Sequence, residues 1–190
     1  MAWKKSATKK TYTEATLYEY AVGALGRRMR TVAELKRLMR TRAGHQAECE
    51  ALVEAVTARL KEQRYLNDSS YAASYSAYRR DTEKFGRIRV AQDLKAKGVH
   101  PDVVGKTVTE VYGEIDEAKL AREFAERKRL KQPKDQKEAA RIFRMMARAG
   151  FSSTIIVKLL RNWKVEDETL SALELEREMA EESSPVEDES

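Results

Sequence analysis

Lys97-Gly98-Val99-His100-Pro101-Asp102-Val103-Val104 lies in register over Ala149-Gly150-Phe151-Ser152-Ser153-Thr154-Ile155-Ile156, 52 residues further along the chain. In both stretches a glycine closes one apolar pattern, an apolar residue follows, a cap region comes next, and paired aliphatics open a new pattern. Glycine fits a helix C-terminus because it enters left-handed backbone without a Cβ penalty. Proline fits the first helical turn, where its missing N–H has no partner to lose. A period of roughly 50 residues describes units too small to bury a full core alone, which complete one another by stacking.

Helical periodicity extends outward from this match in both directions. Upstream of it, Asp68 is positioned to cap a helix carrying Tyr71, Ala72 and Tyr75, and Gly86 opens another containing Ile88, Ala91 and Leu94. Val104, Val108, Val111 and Tyr112 line the next. A further unit starts at Asp116, with Leu120, Ala121 and Phe124 on one side. Asp135 and Glu138 make a box-like helix start before Ala139, Ile142, Phe143 and Met146, and Ile155, Ile156, Leu159, Leu160 and Trp163 complete the set. Near the N-terminus, Leu17, Ala21, Ala24, Leu25 and Met29 mark one helix. Thr31 and Glu34 form a capping box, in which hydroxyl and carboxylate reciprocally satisfy free N–H groups, ahead of Val32, Leu35, Leu38 and Met39. Cys49, Leu52, Val53, Val56 and Leu60 give a third helix, ending near Tyr65-Leu66. The first unit shares helix order and apolar spacing with the other two but not their glycine register.

The expected fold is therefore all-α: three tandem three-helix repeats over residues 12–66, 67–113 and 114–164, stacked into an elongated array. A basic, flexible arm is expected over residues 1–11, with Lys4, Lys5, Lys9 and Lys10, and a disordered or partly helical acidic tail over residues 165–190. With 42% hydrophobic and 36% charged residues, 8 Gly and 3 Pro in 190, the composition favours striped helices over a sandwich or a Rossmann sheet. No stretch approaches the ~20 consecutive apolar residues of a membrane span. The first thirty residues lack the apolar core of a signal peptide, and the single cysteine, Cys49, excludes an intrachain disulfide framework. A cytoplasmic protein without a membrane partner is expected.

The net charge of +6 conceals a division. Residues 165–190 hold 11 acids and one base, Arg177, a local charge of −10, which leaves +16 for the preceding 164 residues. A body that basic is drawn to polyanions or to an acidic protein face. Catalysis has little support: His45 and His100 are isolated, Cys49 lies within an apolar stripe, and neither a metal-ligand spacing, a phosphate loop nor a nucleophile elbow is present. No enzyme, metal or cofactor is expected.

Between the first and second units the motifs become specific. Arg64-Tyr65-Leu66-Asn67-Asp68, Tyr71-Ala72, Arg79, Gly86-Arg87-Ile88-Arg89 and Leu94-Lys95-Ala96-Lys97-Gly98-Val99 follow one another in the order and spacing of the RecX family, and Arg30-Thr31-Val32-Ala33-Glu34-Leu35 resembles that family's opening motif. The resemblance spans about residues 12–164 and is dense only from Arg64 to Val99; Asn67 and Phe85 depart from the family's common choices, and the acidic tail has no counterpart. It implies a curved body of three-helix repeats that binds the RecA nucleoprotein filament, suppresses its ATPase and strand exchange, and favours its disassembly, in control of recombination and DNA repair. Direct contact with single- or double-stranded DNA and a monomeric state are further expectations. Tyr65, Leu66, Asp68, Tyr71, Gly86, Ile88, Leu94 and Gly98 are read as mainly structural members of the motif.

The partner- or DNA-binding candidates are three basic clusters. Arg27, Arg28, Arg30, Lys36, Arg37 and Arg40 lie around the second helix, where Lys36, Arg37 and Arg40 project opposite Val32, Leu35 and Met39 at about 100° per residue. Arg79, Arg80, Lys84, Arg87 and Arg89 surround the central motif. Lys137, Arg141, Arg144 and Arg148 form a stripe opposite Ala139, Ile142, Phe143 and Met146. A single basic residue on a helix face is usually just solvated; recurrence in all three units raises the weight of the set. Arginine suits the task because its planar fork engages phosphate or carboxylate bidentately. Tyr65, Tyr71, Tyr75 and Tyr78 are at a spacing expected mainly to pack between helices. The competing function is a sequence-independent nucleic-acid-binding helical protein without a recombinase partner.

Overall fold

The computed structural model describes residues 11–44 and 48–182. The expected basic arm (apart from Thr11), His45 and the acidic residues beyond Glu182 lie outside the described residues. Among the described residues there are ten helices and no strand: α1 (Glu14–Arg27), α2 (Val32–Ala43), α3 (Cys49–Glu62), α4 (Asp68–Asp81), α5 (Arg87–Ala96), α6 (Pro101–Tyr112), α7 (Glu117–Arg127), α8 (Gln136–Arg148), α9 (Ser153–Asn162) and α10 (Asp167–Glu182). The all-helical expectation holds. α1 to α9 fall three at a time within the stretches read as repeats.

Two compact units are distinguishable, and their division does not follow the repeat boundaries. Unit 1 takes the chain up to Ala72 together with Leu94–Val104, and unit 2 takes Ala73–Asp93 with the residues from Gly105 onward. The core of unit 1 is built from the stripes of α1, α2 and α3: Leu17, Ala21, Ala24, Leu35, Met39, Val53, Val56 and Leu60, closed by Leu66. In unit 2, Leu120, Phe124, Ile142, Phe143, Met146, Phe151, Ile156 and Leu160 are buried, and the Phe124 ring lies 5.6 Å from Phe151 and 6.1 Å from Phe85. Each such buried side chain contributes ~1.5–3 kcal/mol relative to exposure.

Each unit contains one tight joint between a helix start and a glycine-terminated helix end. In unit 1 Gly98, at φ 76°, ends α5, and a Cβ built on it would collide with the Ala33 Cβ at the start of α2. The Thr31 hydroxyl, fully buried, donates to the Lys97 carbonyl at 2.7 Å. In unit 2 Gly150, at φ 93°, ends α8 against the start of α5. There Gly86 N–H donates to the Ala149 carbonyl at 2.9 Å, and a side chain on Gly86 would strike the Gly150 backbone. The glycines read as helix stops are also points of close approach, Gly150 to the backbone of Gly86 and Arg89 and Gly98 to the Ala33 methyl.

Three local expectations are corrected. Met29 is outside α1 and 54% exposed, because Arg28 is extended (φ −165°, ψ 153°) and ends the helix. Tyr65 is exposed because Arg64, at φ 59°, turns the chain so that Leu66 enters the core; the N–H groups of Tyr65 and Leu66 both donate to the Leu60 carbonyl. Tyr78 is exposed as well, whereas Tyr71 is buried. The acidic tail is helical from Asp167 to Glu182, with Leu170 and Leu173 buried and Leu175 and Met179 exposed.

Candidate binding surfaces

At the start of α2, side chains satisfy the N–H groups of Thr31, Val32 and Glu34. Thr31 Oγ1 accepts from Glu34 N at 3.0 Å, and Glu34 Oε2 accepts from Thr31 N at 3.3 Å, which is the expected capping box. Asp68 was expected to cap α4. Instead Asn67 does so, accepting from Ser70 N at 3.1 Å, and the Asp68 carboxylate accepts from Val32 N at 2.8 Å. As the first residue of α4, Asp68 no longer faces that helix's own free N–H groups, and it caps α2 across unit 1. Glu34 is also bound by Lys97 Nζ at 3.1 Å. Burial pulls the Lys97 ammonium down, but the hydrogen bond and charge of Glu34, aided by Tyr71, outweigh it and hold its pKa above the ordinary lysine value.

Because Glu34 is already occupied, the basic residues beside it have no ion-pair partner of their own among the described residues. Arg28, Arg30 and Arg37 line a hollow of about 370 Å³ with Leu38 and Thr41, and Glu34 is its only acid among the described residues. Arg27, Arg28, Arg30 and Arg37 make no ion pair among the described residues; Arg30 Nε donates only a long 3.5 Å bond to the Ala24 carbonyl. Lys36 and Arg40, from the same sequence cluster, are different. Lys36 pairs with Glu54 and Arg40 with Glu50, both on α3, and the Glu50 carboxylate is pulled below its ordinary range by that hydrogen bond.

The central cluster is wired into unit 2. Arg79, 17% exposed, binds Asp93 at 2.7 Å and Glu83 at 3.1 Å and stacks 4.3 Å over the Phe85 ring. Tyr75 and Arg89 meet the same Asp93, at 3.0 and 2.9 Å. Arg80 Nη1 donates to the Val111 carbonyl near the end of α6 and pairs with Asp81. Lys84 pairs with Glu123, holding that carboxylate below its usual range, and Arg87 pairs with Glu117. Burial pushes the Tyr112 hydroxyl far up, so it stays protonated and donates to the Phe85 carbonyl at 3.0 Å. Leu94 is buried, Ile88 half-buried, and both sit on α5 as motif residues.

The third cluster is intermediate. Arg141 lies 3.5 Å from Glu138 and Arg144 3.8 Å from Glu176 of α10, while Lys137 and Arg148 make no ion pair among the described residues. Pairing thus sorts the basic candidates: among the described residues, Arg27, Arg28, Arg30, Arg37, Lys137 and Arg148 have no ion-pair partner. A sequence cannot show this, since the partners of Lys36 and Arg79 lie 18 and 14 residues away. No group of His, Cys, Asp or Glu suited to a metal ion is present among the described residues. None of their helices is long and apolar enough to cross a membrane.

Residues 67–107 match the family model described as RecX, second three-helix domain. The regulatory protein RecX of Leptothrix cholodnii is 33% identical over 141 residues, covering 74% of this chain and 85% of that protein. That of Myxococcus xanthus is 34% identical over 163 residues, covering 79% and 84%. The crystal structure of RecX from Lactobacillus salivarius shares the fold, with a TM-score of 0.65 at 20% identity, over 80% of this chain and 96% of that one. The chain belongs to the RecX family of regulatory proteins.

Proposed function

We propose that this protein binds the RecA nucleoprotein filament, inhibits its ATPase and strand-exchange activities, and favours its disassembly, acting without catalysis of its own. The observation that carries the surface is the arginine group Arg28, Arg30 and Arg37, whose one acidic neighbour among the described residues, Glu34, is bound by Lys97 and the Thr31 N–H. Uncompensated guanidinium groups beside one another attract phosphate or carboxylate. The recombinase as target rests on family membership. A second reading, sequence-independent nucleic-acid binding with no recombinase partner, is favoured by the +16 charge of residues 1–164.

The two readings separate in a titration of RecA ATP hydrolysis on single-stranded DNA. Filament regulation gives inhibition at concentrations of this protein well below those of RecA. Inhibition only once the DNA is saturated by this protein is competition for DNA, and refutes the filament reading.

A further inference from the structure

We propose that a groove in unit 2, framed by α5, α8 and α10, binds an acidic protein segment that inserts one bulky apolar side chain. The groove encloses about 400 Å³, within the ~300–1,000 Å³ of sites that hold small ligands or side-chain anchors. Ile88, Phe143, Ala147 and Leu173, from three helices, form its apolar lining. Arg89, Arg144, Arg148 and Arg177 also line it, against Glu176 as the one acid among the described residues.

Two of these arginines are fixed in place. Arg89 Nε lies 2.9 Å from Asp93, and Arg177 Nη1 donates to the Phe151 carbonyl at 3.3 Å. The other two are open to a ligand. Arg148 has no ion pair among the described residues, and Arg144 meets Glu176 only at 3.8 Å, with both side chains more than half exposed. An apolar lining rimmed by arginines calls for a ligand that is apolar and anionic within one side-chain reach. A nucleic-acid strand fits poorly: base binding uses an open aromatic face, and Phe143, the one aromatic residue lining the groove, is 2% exposed. A phosphate backbone would engage the arginines and leave the apolar lining wet. An acidic peptide with one apolar anchor covers the lining and offers carboxylates to the forks of Arg144 and Arg148. Glu176 then acts as an internal competitor for Arg144.

This proposal is independent of the recombinase as target, and its test contains no recombinase. The probe is a short fluorescein-labelled peptide of glutamate and aspartate with one central phenylalanine, measured by fluorescence anisotropy against the full chain. Saturable binding is expected, weakened about tenfold when the peptide's phenylalanine is alanine, weakened about tenfold by Arg148→Glu, and tightened about threefold by Glu176→Gln. Arg148 and Glu176 are exposed, so neither change disturbs the fold, which circular dichroism checks. Absence of saturable binding, equal binding of the two peptides, or indifference to Arg148→Glu overturns the proposal. So does displacement of the peptide by oligothymidylate with the same dependence on Arg148, which assigns the groove to nucleic acid.

Discussion

Replacing Gly98 by alanine tests whether the joint in unit 1 depends on the absence of a side chain. Two costs combine. At φ 76° an L-residue is strained by ~1–2 kcal/mol, and the new Cβ overlaps the Ala33 Cβ, which forces a backbone shift costing typically ~1–3 kcal/mol. The expected loss is ~2–5 kcal/mol, a large part of the ~5–15 kcal/mol that stabilises a typical domain. The two costs are separable, because the next nearest atom, the Ala33 Cα, is 3.9 Å away. Ala33→Gly alone loses ~0.5–1 kcal/mol of helix propensity, but combined with Gly98→Ala it removes the colliding methyl. The double variant is therefore expected to be more stable than Gly98→Ala alone by up to ~2.5 kcal/mol once that propensity loss is subtracted. Urea unfolding followed by circular dichroism supplies all four corners of the cycle. If the two substitutions prove additive, α5 and α2 do not meet as described and the reasoning is wrong.

Three other outcomes follow from the same geometry. Asp68→Ala leaves the Val32 N–H without its acceptor and is expected to lower stability by ~1 kcal/mol, measured by the urea midpoint, with amide exchange accelerated first at the start of α2. Arg79→Ala removes the 2.7 Å partner of Asp93, which keeps Tyr75 and Arg89, and takes from the partly buried Glu83 its 3.1 Å partner; it is expected to cost ~1–3 kcal/mol in the same assay, whereas Arg37→Ala, exposed and unpaired among the described residues, is expected to change stability by less than ~0.5 kcal/mol. Asp116 caps α7, and the backbone N–H groups of Lys119 and Ala118 hold its carboxyl below the ordinary range. Its contribution is thus present above the unfolded carboxylate pKa of about 4 and is lost as the pH falls through the lower folded value, so Asp116→Asn should reduce the drop in urea midpoint between neutral and strongly acidic pH.

What the sequence revealed was whatever depends on near neighbours. The Thr31–Glu34 box closes within one helical turn, and the glycine register of Gly98 over Gly150 marks two helix ends that the structure confirms by their positive φ. The role of Asp68 was not legible, because its oxygen reaches a helix 36 residues upstream while Asn67, one residue earlier, takes the local role. The basic clusters were visible as compositions but not as charges. Lys36, Arg40, Arg79, Lys84 and Arg87 each find a carboxylate on another helix or turn, and only tertiary contact decides which arginine is left over. The arginine-rimmed groove was missed for a related reason, since Ile88, Phe143 and Leu173 belong to three helices far apart in sequence.

The most direct test of the account compares two charge reversals in the RecA ATPase assay on single-stranded DNA. Arg28→Glu with Arg37→Glu changes the uncompensated group, and Lys36→Glu with Arg40→Glu changes the ion-paired residues of the same helix. The account predicts that the first pair raises the half-inhibitory concentration about tenfold or more, and the second about threefold at most. Equal losses, or a larger loss from the second pair, would contradict it.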